Sequence, residues 1–113
     1  MTIKEVSEKY GLSQETLRYY ERVGILPNVC RTAGGIRNYT EKDLPWIALA
    51  AELKHQAMPI QVMLRYMEAC KAEGFSGEMP RRILEDYQGE LLEKRKQMDE
   101  TLQWLAEKIH KSS

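Results

Sequence analysis

Glu15, Arg18, Tyr19 and Arg22 recur at three- and four-residue spacing within the run Gln14-Glu15-Thr16-Leu17-Arg18-Tyr19-Tyr20-Glu21-Arg22. On an α-helix that spacing gathers the four side chains on one face. An arginine fork can chelate the two acceptors on the major-groove edge of guanine, and a phenol hydroxyl suits a phosphate oxygen. Arg31 and Arg37 follow on either side of Gly34-Gly35, and Tyr39 comes next. Between Thr16 and Tyr39 four arginines (18, 22, 31 and 37) stand against one acid, Glu21, whereas the whole chain balances 17 Lys plus Arg with 17 Asp plus Glu. A polyanionic partner is therefore expected to meet this stretch and not the molecule at large. No nucleophile stands near a base and no glycine-rich phosphate cradle occurs, so no enzyme is expected.

The elements that must hold these residues follow from the local pattern. Thr2 and Glu5 form a capping box for a first helix that carries Ile3, Val6 and Tyr10 and ends near Tyr10. Gly11-Leu12-Ser13 predicts a tight connection: Gly11 takes the left-handed conformation, Leu12 plugs the angle, and Ser13 caps the second helix. Leu17 and Tyr20, on the side away from Arg18, are expected to pack on Ile3, Val6 and Tyr10. Pro27 ends that segment. Residues 29–31 and 36–39 read as two short strands joined at Gly34-Gly35, with alternation putting Arg37 and Tyr39 on one outward face and Ile36 and Asn38 on the other.

Thr40 with Asp43 predicts the start of a third helix, with Pro45 in its first turn and Leu44, Ile47, Ala48, Ala51 and His55 as its inward stripe. Met58-Pro59 begins a fourth helix whose Val62, Met63, Tyr66, Met67 and Cys70 form a core stripe until Gly74. From Pro80 to about Lys108 only Gly89 interrupts the helical pattern, and Leu84, Leu91, Met98 and Leu105 repeat every seven residues. That is a coiled-coil seam, only partly apolar because its companions are Tyr87, Lys94, Thr101 and Lys108. A rod of some ~45 Å, at ~1.5 Å per residue, cannot bury its stripe on a small head, so a second copy is the expected partner.

With those residues in view, Ile3 to Tyr39 resembles the head of the MerR-type transcription regulators. The resemblance is carried by Arg-Tyr-Tyr-Glu-Arg-x-Gly-x-Leu at 18–26, Arg31, and Gly-x-Arg-x-Tyr at 35–39. Trp46-Ile47, Glu93-Lys94-Arg95 and Asp99-Glu100 are similar to the aldehyde-responsive subgroup, which extends the likeness to about residue 109. It implies an all-α fold with a small β-hairpin wing: a winged helix-turn-helix DNA-binding head at 1–75, a coiled-coil dimerisation helix at 78–110, and no separate effector domain. The implied DNA-binding set is Ser13, Glu15, Thr16, Arg18, Tyr19, Arg31, Arg37 and Tyr39, with Arg18 on base edges, Tyr19 and Arg37 on phosphates, and Arg31 and Tyr39 anchoring the wing. Leu84, Leu91, Met98 and Leu105 would pair antiparallel in a homodimer. Such a dimer would sit on inverted repeats in double-stranded promoter DNA, bending and untwisting an overlong spacer so that RNA polymerase engages both elements.

Three positions depart from the family pattern. Glu15 replaces a basic residue; its carboxylate would repel phosphate, yet could accept from the exocyclic amine of cytosine. Ile36 stands where many relatives place a wing tyrosine. Glu52 occupies the position of the subgroup's reactive cysteine, so thiol addition at that site is not expected.

Other classes are excluded by what is missing. No apolar run approaches the ~20 residues of a membrane span and the start lacks a secretory apolar core, so a cytoplasmic protein without membrane contact is expected. Cys30 and Cys70 make no disulfide framework, and with no ligand spacing to His55 or His110 no metal and no cofactor is expected. Cys70 reads as a core residue. Cys30, beside Arg31, is a candidate redox switch. The alternatives are an architectural or excisionase-like DNA binder and a helical interaction adaptor.

Overall fold

The computed structural model describes residues 1–112. Helix α1 (Ile3–Tyr10) starts in the expected capping box: the Thr2 hydroxyl accepts from the Glu5 N–H at 3.2 Å, and the Glu5 carboxylate accepts from the Thr2 N–H at 2.9 Å. Gly11 ends it at φ 68°, a left-handed turn that a side chain would strain. Ser13 then caps α2 (Gln14–Val23) by accepting from the Thr16 N–H at 3.0 Å. Leu12, Val6, Leu17 and Tyr20 are buried together, so the two helices lock at a fixed angle. This locking is what gives α2 a defined outward face.

Helix α3 (Leu44–His55) packs on α1, and α4 (Ile60–Glu73) packs on α5 (Glu78–Ser112). The core is continuous from Val6 and Leu17 through Ile25 and Ile47 to Met63 and Met67. The Lys71 ammonium donates to the Gly24 carbonyl at 3.2 Å, joining the end of α4 to the end of α2. Phe75 lies against Trp46 with ring centroids 5.1 Å apart, which ties the α4–α5 turn to α3. Val62, Met63, Tyr66, Met67 and Cys70 are all buried, as their spacing predicts.

The wing differs from the expected hairpin. No strand forms among the described residues; an isolated antiparallel bridge joins Arg31 and Arg37. Beside it the Thr32 N–H donates to the Ile36 carbonyl at 2.7 Å and the Asn38 N–H to the Cys30 carbonyl at 2.8 Å. Toward the tip pairing stops because the Ile36 N–H donates to the Thr32 hydroxyl at 3.3 Å and not to the Thr32 carbonyl, which takes the Gly35 N–H at 2.9 Å. The Val29 N–H goes to the Glu21 carboxylate at 3.4 Å, and the Tyr39 N–H goes to the Met1 carbonyl at 2.8 Å.

Two further expectations change. The helix expected to open at Thr40 starts at Leu44, with Asp43 at its N-cap position; the Asp43 carboxylate makes no cap bond and accepts from the Thr40 N–H at 2.8 Å, closing a turn. The buried stripe of α3 is Ile47, Ala50 and Leu53, while Leu44, Ala48 and Ala51 are half-buried and His55 is exposed. Nine of the twelve residues of α3 are apolar and the other three, Glu52, Lys54 and His55, lie together at its end, so its sequence does not single out one face.

Helix α5 spans 35 residues, and the molecule measures 70 × 34 × 20 Å. Only its first turns touch the head, through buried Pro80 and Ile83 and half-buried Tyr87. Beyond them Leu91, Met98, Leu102 and Leu105 are exposed. No helix among the described residues is long and apolar enough to cross a membrane.

Candidate nucleic-acid interface

Leu17 and Tyr20 are 0% and 4% exposed, so their burial turns Glu15, Arg18, Tyr19 and Arg22 outward on α2. The Arg18 guanidinium donates to the Gln14 side-chain oxygen at 3.4 Å, one turn back along the helix. The Arg22 guanidinium lies 5.3 Å from the centre of the Tyr19 ring, a cation–π contact that holds both groups at the surface. Tyr20 is core, and burial raises its phenol above the ordinary range, with Tyr19 adding to the rise.

At the start of α2 the Ser13 hydroxyl donates to the Thr16 hydroxyl at 2.8 Å. Lys54, from the end of α3, donates to the same Thr16 oxygen at 3.4 Å. Lys54 was not among the sequence-predicted residues. Thirty-eight positions separate it from Thr16, and nothing local in the chain announces the contact.

Glu21 is the second residue to gain a role from the structure. One carboxylate oxygen accepts from the Arg37 Nε at 2.8 Å and the other from the Val29 N–H, so Glu21 clamps the wing to α2 from both ends. Arg37, expected on phosphates, is therefore half-covered and paired within the protein. Arg31 remains exposed and donates to the Gly35 carbonyl at 3.0 Å, closing the wing turn. Cys30 is exposed at the base of the wing and Cys70 is buried. Burial pushes the Cys70 thiol up, opposed by its hydrogen bond with Tyr66.

Tyr39 departs most from its expected place. It is 2% exposed, and its phenol oxygen is buried without a hydrogen-bond partner. Alternation does set it with Arg37 and apart from the exposed Ile36 and Asn38, but that side is the inner one: Arg37 turns to Glu21 and the Tyr39 ring enters the core. Burial, then the Glu21 carboxylate, raises its phenol above the ordinary range, with Arg37 and Arg18 opposing. Among the described residues no group of three His, Cys, Asp or Glu side chains is placed to hold a metal ion.

These features define a helix-turn-helix head with a looped wing, carried on a long helical arm. The family model for the MerR HTH regulatory proteins matches residues 1–70, and the chain belongs to that family. Among curated proteins it is similar to the HTH-type transcriptional regulator AdhR of Bacillus subtilis (strain 168), at 38% identity over 93 residues, covering 82% of this chain and 66% of that protein. An uncharacterized HTH-type regulator of Haemophilus influenzae is 42% identical over 67 residues, covering 59% of this chain and 50% of its own. The chain thus spans between half and two thirds of the length of these relatives. Of solved structures, a MerR family protein from Listeria monocytogenes superposes with TM-score 0.70 at 32% identity, covering 96% of this chain and 83% of that one. HiNmlR, a MerR family regulator lacking the sensor domain and bound to promoter DNA, gives TM-score 0.63 at 30% identity, covering 93% and 77%.

Proposed function

We propose that this protein is a sequence-specific transcription regulator that binds promoter DNA as a homodimer. The observation that carries the reading is the outward face of α2, where Arg18, Tyr19 and Arg22 stand exposed on a helix whose opposite side is locked into the core. Laid in a major groove, that face brings Arg18 to base edges and Tyr19 to the phosphate backbone. Ser13, Thr16 and Lys54 flank the start of the helix and Arg31 the wing, where cations and hydroxyls meet phosphates without reading sequence. Arg37 and Tyr39 act less directly, by fixing the wing against α2. That HiNmlR is bound to promoter DNA supports DNA as the partner.

Residues 1–75 would form the DNA-binding head and 78–110 the dimerisation arm. Leu84, Leu91, Met98 and Leu105 lie exposed along α5 at heptad spacing, and an antiparallel pairing of two copies would bury them. Two heads held in that way present their helices to inverted half-sites on one side of the duplex. The dimer would then bend and untwist the promoter for RNA polymerase in response to a small or chemical stress signal, with the deformation of the uncontacted centre adding to specificity.

Mobility shifts with genomic fragments, followed by footprinting, test this reading. It expects a protected inverted repeat between or beside promoter elements. Failure to retard any fragment, or protection without sequence preference, would refute it.

A further inference from the structure

Glu15 is the one acid on the outward face of α2. Its surroundings leave it unneutralised. Arg18, one turn on, gives its guanidinium to Gln14, and Lys54 gives its ammonium to Thr16. Arg22 is held over the Tyr19 ring, and Arg37 is taken by Glu21. The carboxylate of Glu15 has no hydrogen bond or ion pair with any of them.

An unpaired carboxylate on a surface that meets a polyanion is repelled by every phosphate, so it favours binding only where the duplex offers it a donor. In the major groove the donors are the N4 amine of cytosine and the N6 amine of adenine. Adenine sets the N7 acceptor beside its amine, which repels a carboxylate and suits an amide; cytosine carries no acceptor on its own edge. Guanine and thymine present acceptors alone from their own edges. Glu15 lies in the first turn of α2, the part of a recognition helix that meets base edges.

We propose that Glu15 is a specificity-determining residue that selects a cytosine in each half-site by accepting from its N4 amine, and that it rejects guanine and thymine at that place. This rests on the reading of α2 as the DNA-recognition helix. The same carboxylate sets the register, since Arg18 one turn along the helix reads a different base pair.

The test is selection of binding sites from randomised duplex by the full chain, run in parallel for the native protein, Glu15→Ala and Glu15→Gln. Glu15 is exposed and hydrogen-bonds to nothing, so both variants are expected to keep the native circular dichroism and melting temperature. The native protein should enrich an inverted repeat with one C·G pair per half-site whose replacement lowers affinity roughly 5- to 150-fold. Glu15→Ala should lose the preference at that pair alone, and Glu15→Gln should move it toward adenine. An enriched repeat whose base preferences are identical for all three proteins overturns the role of Glu15, including the case in which Glu15→Ala binds all DNA more tightly. A native selection with no enriched repeat instead overturns the DNA-reading function on which the proposal rests.

Discussion

Replacing Glu21 by Gln keeps the shape of the side chain and removes its charge. The amide oxygen can still accept from the Val29 N–H, but Arg37 loses the anion at 2.8 Å from its Nε. Exposure sets the magnitude. Ion pairs in open solvent contribute about 0–1 kcal/mol, whereas removing one partner of a fully buried pair costs about 3–5 kcal/mol. Here the side chains of Arg37 and Glu21 are 21% and 11% exposed. The pair lies nearer the covered limit without reaching it, and about 2 kcal/mol is expected, in the range of a hydrogen bond to a charged group. That is roughly a thirtyfold drop in the folding constant. Urea unfolding at fixed protomer concentration measures it, since dimer formation would make the midpoint depend on concentration. Arg37→Gln should cost a similar amount and the double variant little more, giving a coupling of at least about 1 kcal/mol. Single losses below about 0.5 kcal/mol with no coupling would show that water screens the pair and that the clamp does not hold the wing.

Three other perturbations separate the parts of the account. Leu91→Asp with Met98→Asp should yield monomers in sedimentation and abolish tight operator binding while the head keeps its helical circular dichroism; a surviving dimer would remove the seam from α5. Tyr39→Phe should be neutral or stabilising, because the phenol oxygen is buried without a partner, and DNA affinity should hold. The phenols of Tyr20, Tyr39 and Tyr66 are raised above 10.0 by burial, so the folded state keeps their protons longer; the stability they contribute is whole below pH 10 and falls as pH rises through the raised values. Tyr39→Phe should make that alkaline loss shallower, and an unchanged profile would count against a buried phenol. Lys54→Ala should weaken all DNA sequences alike and lower the salt slope by about one per half-site; a changed base preference would contradict a phosphate role.

Much of the head was legible in its sequence because short-range rules dictate it. The Thr2 and Glu5 capping box, the left-handed Gly11, the Ser13 cap and the Leu17–Tyr20 inner face all depend on neighbours within one helical turn. The wing was not: at its tip Thr32 draws the Gly35 and Ile36 N–H groups into a turn, and its base is held by distant partners, with the Glu21 carboxylate on the Val29 N–H and the Met1 carbonyl on the Tyr39 N–H. Alternation still sets Arg37 and Tyr39 on one side and Ile36 and Asn38 on the other, but which side faces the core is decided by Glu21 and the apolar residues of the head, which the local pattern does not show, and so Tyr39 lies inward. The same limit explains Lys54 and Arg37, whose partners lie 38 and 16 positions away. For α3, a helix apolar on nearly every side carries no periodic signal to say which face is core. The outward set on α2 was recoverable because one buried residue per turn fixes the rest of the face.

The measurement that bears most directly on the central claim is the effect of Arg18→Ala on a selected operator and on scrambled duplex of equal length at the same salt concentration. If the outward face of α2 reads base edges, operator affinity falls by about 1–3 kcal/mol, preference relaxes at the contacted base pair, and scrambled DNA loses far less. Equal losses on both duplexes would mean that Arg18 serves only as a charge, and the base-reading role assigned to this helix would be wrong.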